Sequence, residues 1–371
     1  MTNSTNENRA VGLVSIGNPV ALIASLDKFK TVCPGYKIYV CINISQEHIT
    51  AENYQKLLNN SYKIIAHYEP NFREIVVIEN TAKVWLTHGM CLDMLYNFAT
   101  EEELVMFEED AYIFSNTDFE EKFRNLQTKD LFCVVAPKNP NNYNALFSKL
   151  NIFPNTINMP GKESIFFIRK SLLSKYDWAS FDYVKWNSGV IYTRPEGTQI
   201  HFQEEIHFDT FEFFSFICWM NKSITVGTYE EQNYDYWVPE GRNATHEFYQ
   251  QMTNPTNYIH YFNSGLFQYL DYHGPNNSKF YKNMMYTAPH FGQYLYHMST
   301  YVIQIGILRA VKKKYVEILG SVEYNLNKRS IKNSLSMLIN YFGHFKIRHQ
   351  YKLAAFIKFT YKFTNRHHGI K

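Results

Sequence analysis

Between Leu104 and Phe114 the chain reads Leu-Val-Met-Phe-Glu-Glu-Asp-Ala-Tyr-Ile-Phe, three consecutive acids inside an apolar, strand-like run. Carboxylates at the end of a buried strand are costly to desolvate unless they are paired or hold a cation. Glu108, Glu109 and Asp110 therefore suggest a divalent-metal site at the C-terminal edge of a central sheet. A hard cation such as Mn²⁺ or Mg²⁺ takes one or two carboxylates from protein, with phosphate oxygens and water completing the shell. Taken alone, the segment reads equally as an acidic turn between two strands.

Three later segments carry further chemistry. Trp186, Asn187, Ser188 and Gly189 form a small polar turn before the apolar residues Val190 to Tyr192. Gly189 would let backbone approach a ligand, and Asn187 offers a donor and an acceptor. Glu204 and Glu205, with Asp209 just beyond, precede a helix-like stretch from Thr210 to Met220. Acids at a helix start commonly complement its dipole, and a carboxylate there is also a candidate base. Finally, His260 follows the apolar Ile259 and leads into the Gly265 loop, as a core histidine or a late metal ligand.

The elements that must position these groups alternate between strand and helix. Ala10 to Ile16 is predicted as a strand, Val20 to Lys30 as a helix and Tyr36 to Ile44 as a second strand. Ile49 to Leu58 is read as helical, Ile75 to Ile78 as a short strand, and Ala82 to Phe98 as a helix leading into the acid-bearing strand. Such alternation predicts an α/β fold with a largely parallel, doubly wound sheet. Ligands then bind beyond the carboxyl ends of the strands, where the acids lie. Neither G-x-G-x-x-G nor a P-loop motif is present.

Taken in order, the four segments resemble the landmarks of GT-A-fold glycosyltransferases that use nucleotide-sugar donors, most nearly the glycogenin and lipopolysaccharide-galactosyltransferase group. Glu108, Glu109 and Asp110 resemble that family's Asp-x-Asp with Glu in first place. Trp186 to Ile191 resembles its Phe-Asn-x-Gly-Val strand, Glu204 and Glu205 its acidic pair, and His260 with Tyr261 its late His-aromatic pair. Two departures are the Glu at the first acid and Gly265, Leu266 and Phe267 where the family has Lys-Pro-Trp. The resemblance covers about residues 10–290 and implies a GT-A-like (Rossmann-like) catalytic domain. It implies a metal site of Glu108, Asp110 and His260 for Mn²⁺ or Mg²⁺, with Asp110 a direct ligand, His260 completing the shell, Glu108 orienting Asp110 or binding ribose or metal-bound water, and Glu109 within the donor and acceptor site. Glu204 or Glu205 would be the base of an inverting reaction, with Asp209 as a third candidate. Asn187, Ser188 and Gly189 would hold donor sugar and acceptor, and Ser15, Gly17 and Asn18 would lie beside the nucleotide base.

Composition bounds the remainder. A chain of 371 residues that is 45% hydrophobic can bury a sizeable core. Its five cysteines, Cys33, Cys41, Cys91, Cys133 and Cys218, lack C-x-x-C spacing, which argues against a zinc module or disulfide framework and for a reducing compartment. The polar N-terminus has no signal-peptide core, and no apolar run is long enough to span a bilayer. Residues 301–371 hold 14 Lys and Arg against two acids, a local net of +12, which leaves −9 for residues 1–300. A basic, mainly helical extension over residues 291–371 is therefore expected, either docking on an anionic membrane surface or packing against the main domain.

The sequence thus predicts a metal-dependent glycosyltransferase moving sugar from a nucleotide-sugar donor to a glycan or lipid-linked acceptor. Cell-surface polysaccharide or glycoconjugate synthesis in the cytoplasm, at the inner membrane face, is the expected setting. No nucleic-acid partner is expected, since no binding motif is present. The alternative is a non-catalytic scaffold that binds polyanions or membrane through its basic region. A nucleotidyltransferase ranks third, because the turn after the first strand has one Gly and no base.

Overall fold

The computed structural model describes residues 7–46, 50–82, 84, 86–109, 111–113, 119–134, 165–171, 180–182, 184–193, 197, 199–201, 205–208, 210–211, 213–214, 217–218, 224–229, 232–233, 258–260, 311 and 313–320. Asp110, Glu204 and Asp209, and most of the basic region, lie outside the described residues.

The first half alternates strands and helices, as its periodicity predicts. The strand β1 (Arg9–Ser15) is followed by α1 (Pro19–Val32), β2 (Lys37–Ile42), α2 (Ala51–Tyr68), β3 (Glu74–Glu79), α3 (His88–Phe98) and β4 (Glu103–Glu108). Local chemistry sets several of these boundaries. Asn18 caps α1 and Pro19 pre-sets its first turn. Thr50 and Thr87 cap α2 and α3 by accepting from Asn53 and Met90 N–H groups. After β4 come β5 (Ala111–Ile113), α4 (Phe119–Asn125), β6 (Leu131–Val134), β7 (Ile165–Arg169) and β8 (Val184–Trp186). The described chain continues through β9 (Ile191–Thr193), β10 (Gln199–His201), β11 (Ile206–Phe208), β12 (Val226–Tyr229), β13 (Gln232–Asn233) and β14 (Tyr258–His260).

Seven strands form one sheet in the order β12-β6-β7-β4-β1-β2-β3. All run in one direction except β7, which pairs antiparallel with both β4 and β6. The expected mostly parallel sheet flanked by helices is therefore present. Strand alternation divides the core between two faces. Val105 and Phe107 pack with residues of α1, α2 and α4 on one face. Leu104 and Met106 pack on the other with Cys91, Leu92 and Leu95 of α3.

Three predicted elements differ, among them α2, which runs to Tyr68 rather than Leu58. Helix α3 begins at His88 rather than Ala82. The carboxamides of Asn43 and Asn80 tie down the preceding segment: Asn43 donates to Leu86 O at 2.9 Å, and Asn80 donates to Val84 O at 2.6 Å. Such side-chain bonds offer the backbone an alternative to helix. Glu205 lies one short strand ahead of the predicted helical stretch rather than at its start: Ile206 to Phe208 pair with β8, and the described residues 213–214 and 217–218 beyond them are helical.

One described piece of the basic region, residues 313–319, is helical. Val311 and Tyr315 are buried in the core with α1 and α2, and Ile318 and Leu319 pack against it. Lys314 forms an ion pair with Asp27 of α1. This piece packs on the main domain. No described helix is long and apolar enough to cross a membrane.

Candidate functional site

The six codirectional strands end at one edge of the sheet, and polar residues are buried there. Ser15, Asn43 and Asn80 end or follow β1, β2 and β3, and each is at most 2% exposed. At the end of β4, the Glu109 N–H continues the ladder by donating to Val14 O at 3.1 Å. Its side chain is buried, and one carboxylate oxygen accepts from the Ser15 hydroxyl at 2.6 Å. The same Ser15 oxygen accepts from Gly17 N–H at 3.1 Å. Gly17 has φ +80°, and a β-carbon there would lie 2.7 Å from Ile44 Cδ1, so the turn requires glycine. The Asn18 carboxamide accepts from Val20 and Ala21 N–H groups at 3.0 and 3.3 Å. Ser15, Gly17 and Asn18 thus build the turn beside Glu109, with the Ser15 and Asn18 side chains engaged by the fold.

Glu108 closes β4, and one of its carboxylate oxygens lies 2.9 Å from His88 Nε2. Both side chains are partly exposed, at 14% for Glu108 and 23% for His88. His88 is the first residue of α3, so the helix start faces the acid-bearing edge. A helix N-terminus favours nearby negative charge, which suits Glu108. Sequence reasoning did not single out His88. Its signal was a histidine directly after an N-capping threonine, at a helix end that disfavours positive charge.

A pairing distant in sequence brings another candidate to this place. Strand β14 runs antiparallel to β5, with His260 opposite Ala111, Ile259 opposite Tyr112 and Tyr258 opposite Ile113. Directly opposed residues of an antiparallel pair have Cα atoms only about 4.5–5.5 Å apart. The backbone of His260 therefore lies beside the residue that follows Asp110 in the chain. Among the described residues no group of three His, Cys, Asp or Glu side chains is arranged to hold a metal ion. The set of carboxylate and imidazole groups expected here, Glu108 with Asp110 and His260, suits a hard divalent cation chemically.

The remaining candidates gather elsewhere. Strand β8 pairs antiparallel with β11, Trp186 opposite Ile206, so Asn187 and Glu205 flank the same end of that ladder. Asn187, Ser188 and Gly189 are exposed. Gly189 has φ +88°, with open space where a β-carbon would stand. The Glu205 carboxylate lies 2.8 Å from the Lys185 ammonium, both about half exposed. A carboxylate engaged by an ammonium is a poorer proton acceptor than one in an apolar pocket. Residues 180–182, just before β8, are bonded to the N-cap and first two turns of α3. Thr87 donates to Asp182, and Asp93 accepts from Ser180 Oγ at 2.6 Å and Phe181 N–H at 2.8 Å.

No family model matches this chain, and no curated protein matches it either. Solved structures do match at low identity. The mannosyltransferase PcManGT from Pyrobaculum calidifontis, in complex with GDP-Man and Mn²⁺, is 12% identical, with 98% of this chain and 88% of that chain covered and a TM-score of 0.38. The galactosyltransferase LgtC, in complex with donor and acceptor sugar analogs, is 10% identical over 74% of this chain and 94% of that one, with a TM-score of 0.37. For S. aureus TarS 1–349 in complex with UDP the values are 12% identity, 46% and 49% coverage and a TM-score of 0.29. The 4-diphosphocytidyl-2C-methyl-D-erythritol synthase from Anaerococcus prevotii is 10% identical, with 47% of this chain and 76% of that chain covered and a TM-score of 0.31. The likeness to glycosyltransferases is distant, and scores below 0.5 do not by themselves fix an activity.

Proposed function

We propose that this chain is a glycosyltransferase that moves a sugar from a nucleotide-sugar donor to a glycan or lipid-linked acceptor, with Mn²⁺ or Mg²⁺ at the C-terminal edge of its sheet. One observation carries the reading. The β5–β14 pairing sets the backbone of His260, some 150 residues further along the chain, opposite Ala111, three residues after Glu108, and this register supports the reading. The carboxyl ends of parallel strands are where this class of sheet binds ligands.

In this reading Asp110, Glu108 and His260 would hold the cation, and Glu109, turned to Ser15, would be part of the scaffold. When bound, the ion would supply Lewis-acid stabilisation to the departing nucleoside diphosphate. The chain's own residues do the rest. His88, whose Nε2 lies 2.9 Å from the Glu108 carboxylate, would orient it. Asn187, Ser188 and Gly189 would hold donor sugar and acceptor, with the open Gly189 turn allowing close approach. An inverting reaction needs a base for the acceptor hydroxyl, for which Glu204 is the better candidate because Glu205 is engaged by Lys185. Action at the cytoplasmic face of a membrane in cell-surface polysaccharide synthesis belongs to the same proposal, supported by the +12 charge of residues 301–371.

The test is a panel of nucleotide sugars incubated with purified protein and Mn²⁺. Donor turnover lost on chelation and in Asp110→Asn is expected. Absence of turnover with every donor, or an active Asp110→Asn variant, would overturn the assignment. Flotation with anionic and neutral vesicles, using chains with and without residues 321–371, tests the membrane setting separately; equal partitioning would remove it.

A further inference from the structure

We propose that the first two turns of α3 are a positioning platform: Thr87, Gly89 and Asp93 clamp residues 180–182 so that the Asn187–Gly189 turn is presented to the acid-bearing edge. The inference rests on the functional reading above and assigns roles to residues which that reading leaves unused.

The clamp has three points. The Thr87 hydroxyl donates to the Asp182 carboxylate while its oxygen also caps α3 through Met90 N–H at 3.2 Å. Asp93, one turn further along, accepts from Ser180 Oγ at 2.6 Å and Phe181 N–H at 2.8 Å, using both carboxylate oxygens. The Ser180 oxygen in turn accepts from Asp182 N–H at 3.0 Å. Between these two points the backbone runs directly over Gly89. A β-carbon there would lie 2.3 Å from Asp182 Cα and 2.5 Å from Phe181 O, closer than atoms can approach. Only glycine allows the segment to sit this low.

A second set of contacts holds the clamp from the far side. The Phe181 ring is buried against Phe166, Phe211 and Phe214, at centroid distances of 5.4, 6.0 and 5.0 Å. Phe211 donates its N–H to Phe181 O at 2.8 Å and keeps a left-handed φ of +66°, unusual for a bulky residue. Packing and hydrogen bonds together outweigh that backbone cost.

The consequence for the site follows from chain geometry. Asn187 is five chain steps beyond Asp182, so the turn lies at most about 18 Å from the clamp at full extension. On the other side, His88 sits between Thr87 and Gly89 and contacts Glu108. One helix start therefore carries both the residue that orients Glu108 and the anchor of the Asn187–Gly189 segment. A shift of the anchor alters the distance between metal edge and sugar-holding turn, and small misplacements of that kind cost up to about 100-fold in rate.

Asp93 and Gly89 are thus positioning residues, and their test separates binding from transfer. In Asp93→Ala, kcat/KM for the acceptor should fall about 10- to 100-fold, with the Mn²⁺-dependent Kd for the nucleoside diphosphate unchanged. Asp93→Asn keeps an acceptor oxygen for Phe181 N–H and should recover part of that loss. Gly89→Ala, which forces the segment outward, should behave like Asp93→Ala. Backbone amide exchange at residues 181–193 should quicken in both alanine variants. Unchanged exchange or unchanged transfer kinetics would overturn the inference, as would a nucleotide affinity that weakens in parallel. Amide exchange needs no substrate. A wild-type chain that transfers no sugar but shows the exchange difference would retain the clamp and sink only the functional reading, removing its catalytic purpose.

Discussion

At the N-terminal end of the central strands, Glu101 and Glu103 meet guanidinium, ammonium and phenol groups. At the C-terminal end, Glu108 and Glu109 meet an imidazole and a hydroxyl. Arg9 bonds Glu103 at 2.7 Å and Glu120 at 2.9 Å, and Arg73 bonds Glu101 at 2.9 Å, where the Tyr39 hydroxyl also donates at 2.8 Å. Lys37 pairs with Glu74 at 3.0 Å on the neighbouring strands. Those contacts cancel charge with permanent cations. The contacts at the other end, Ser15 to Glu109 at 2.6 Å and His88 to Glu108 at 2.9 Å, come from a hydroxyl and an imidazole, neither of which is a permanent cation. One sheet thus shows what acids look like when they serve the fold, and how differently they are held where a ligand is expected.

The contrast can be broken by mutation, and the largest stability effect is expected at the N-terminal edge. Arg9→Met should destabilise the chain by about 3 kcal/mol, because it strands the partly buried partner charge of Glu103. Urea denaturation reads this, and a loss under about 1 kcal/mol would erase the contrast. Ser15→Ala should cost about 1–3 kcal/mol, the penalty for a buried acceptor losing its donor. Pairing it with Glu109→Gln should not restore the hydrogen bond's geometry, so a neutral double variant would contradict the scaffold role of Glu109. Gly189→Ala should cost about 1–2 kcal/mol, from left-handed backbone alone, since a β-carbon there meets open space.

The smallest effect concerns Asp93. Burial is the main cause that raises its carboxyl above the ordinary 3.8, with nearby Asp182 adding to it and the bonds from Ser180 and Phe181 N–H opposing. A raised native value means the fold binds that proton more tightly than the unfolded chain does. Its contribution is therefore fullest at low pH and is lost as pH rises from 3.8 through the raised value. Asp93→Asn should remove this component, giving a flatter dependence of Tm on pH across the acidic range. An unchanged slope would show that Asp93 is not the group responsible.

How far the sequence reveals these features depends on how local their causes are. Strands β1 to β4 were legible because apolar runs, a capping Asn18 and the Pro34-Gly35 break all act within a few residues. Helix α2 runs ten residues past its predicted end because Asn59 and Ser61, which look like breakers, bond inside it. Asn59 accepts from Gln55 at 3.0 Å and Ser61 donates to Leu57 O at 2.9 Å. The predicted start of α3 failed for a long-range reason, since Asn43, just after β2, holds Leu86 out of helix. The acidic trio was visible as an anomaly of pattern. His88 and the clamp at residues 180–182 were not, because both depend on contacts between segments about 20 and 90 residues apart.

The account turns on whether the C-terminal edge, and not its ion-paired counterpart, takes a cation with a nucleotide. Calorimetric titration of nucleoside diphosphates, with and without Mn²⁺, into wild-type, Glu108→Gln/Asp110→Asn and Glu103→Gln proteins measures this directly. Mn²⁺-dependent binding kept by wild type and Glu103→Gln but lost in the double variant is the expected result. Binding that is independent of Mn²⁺, or that survives in the double variant, would contradict it.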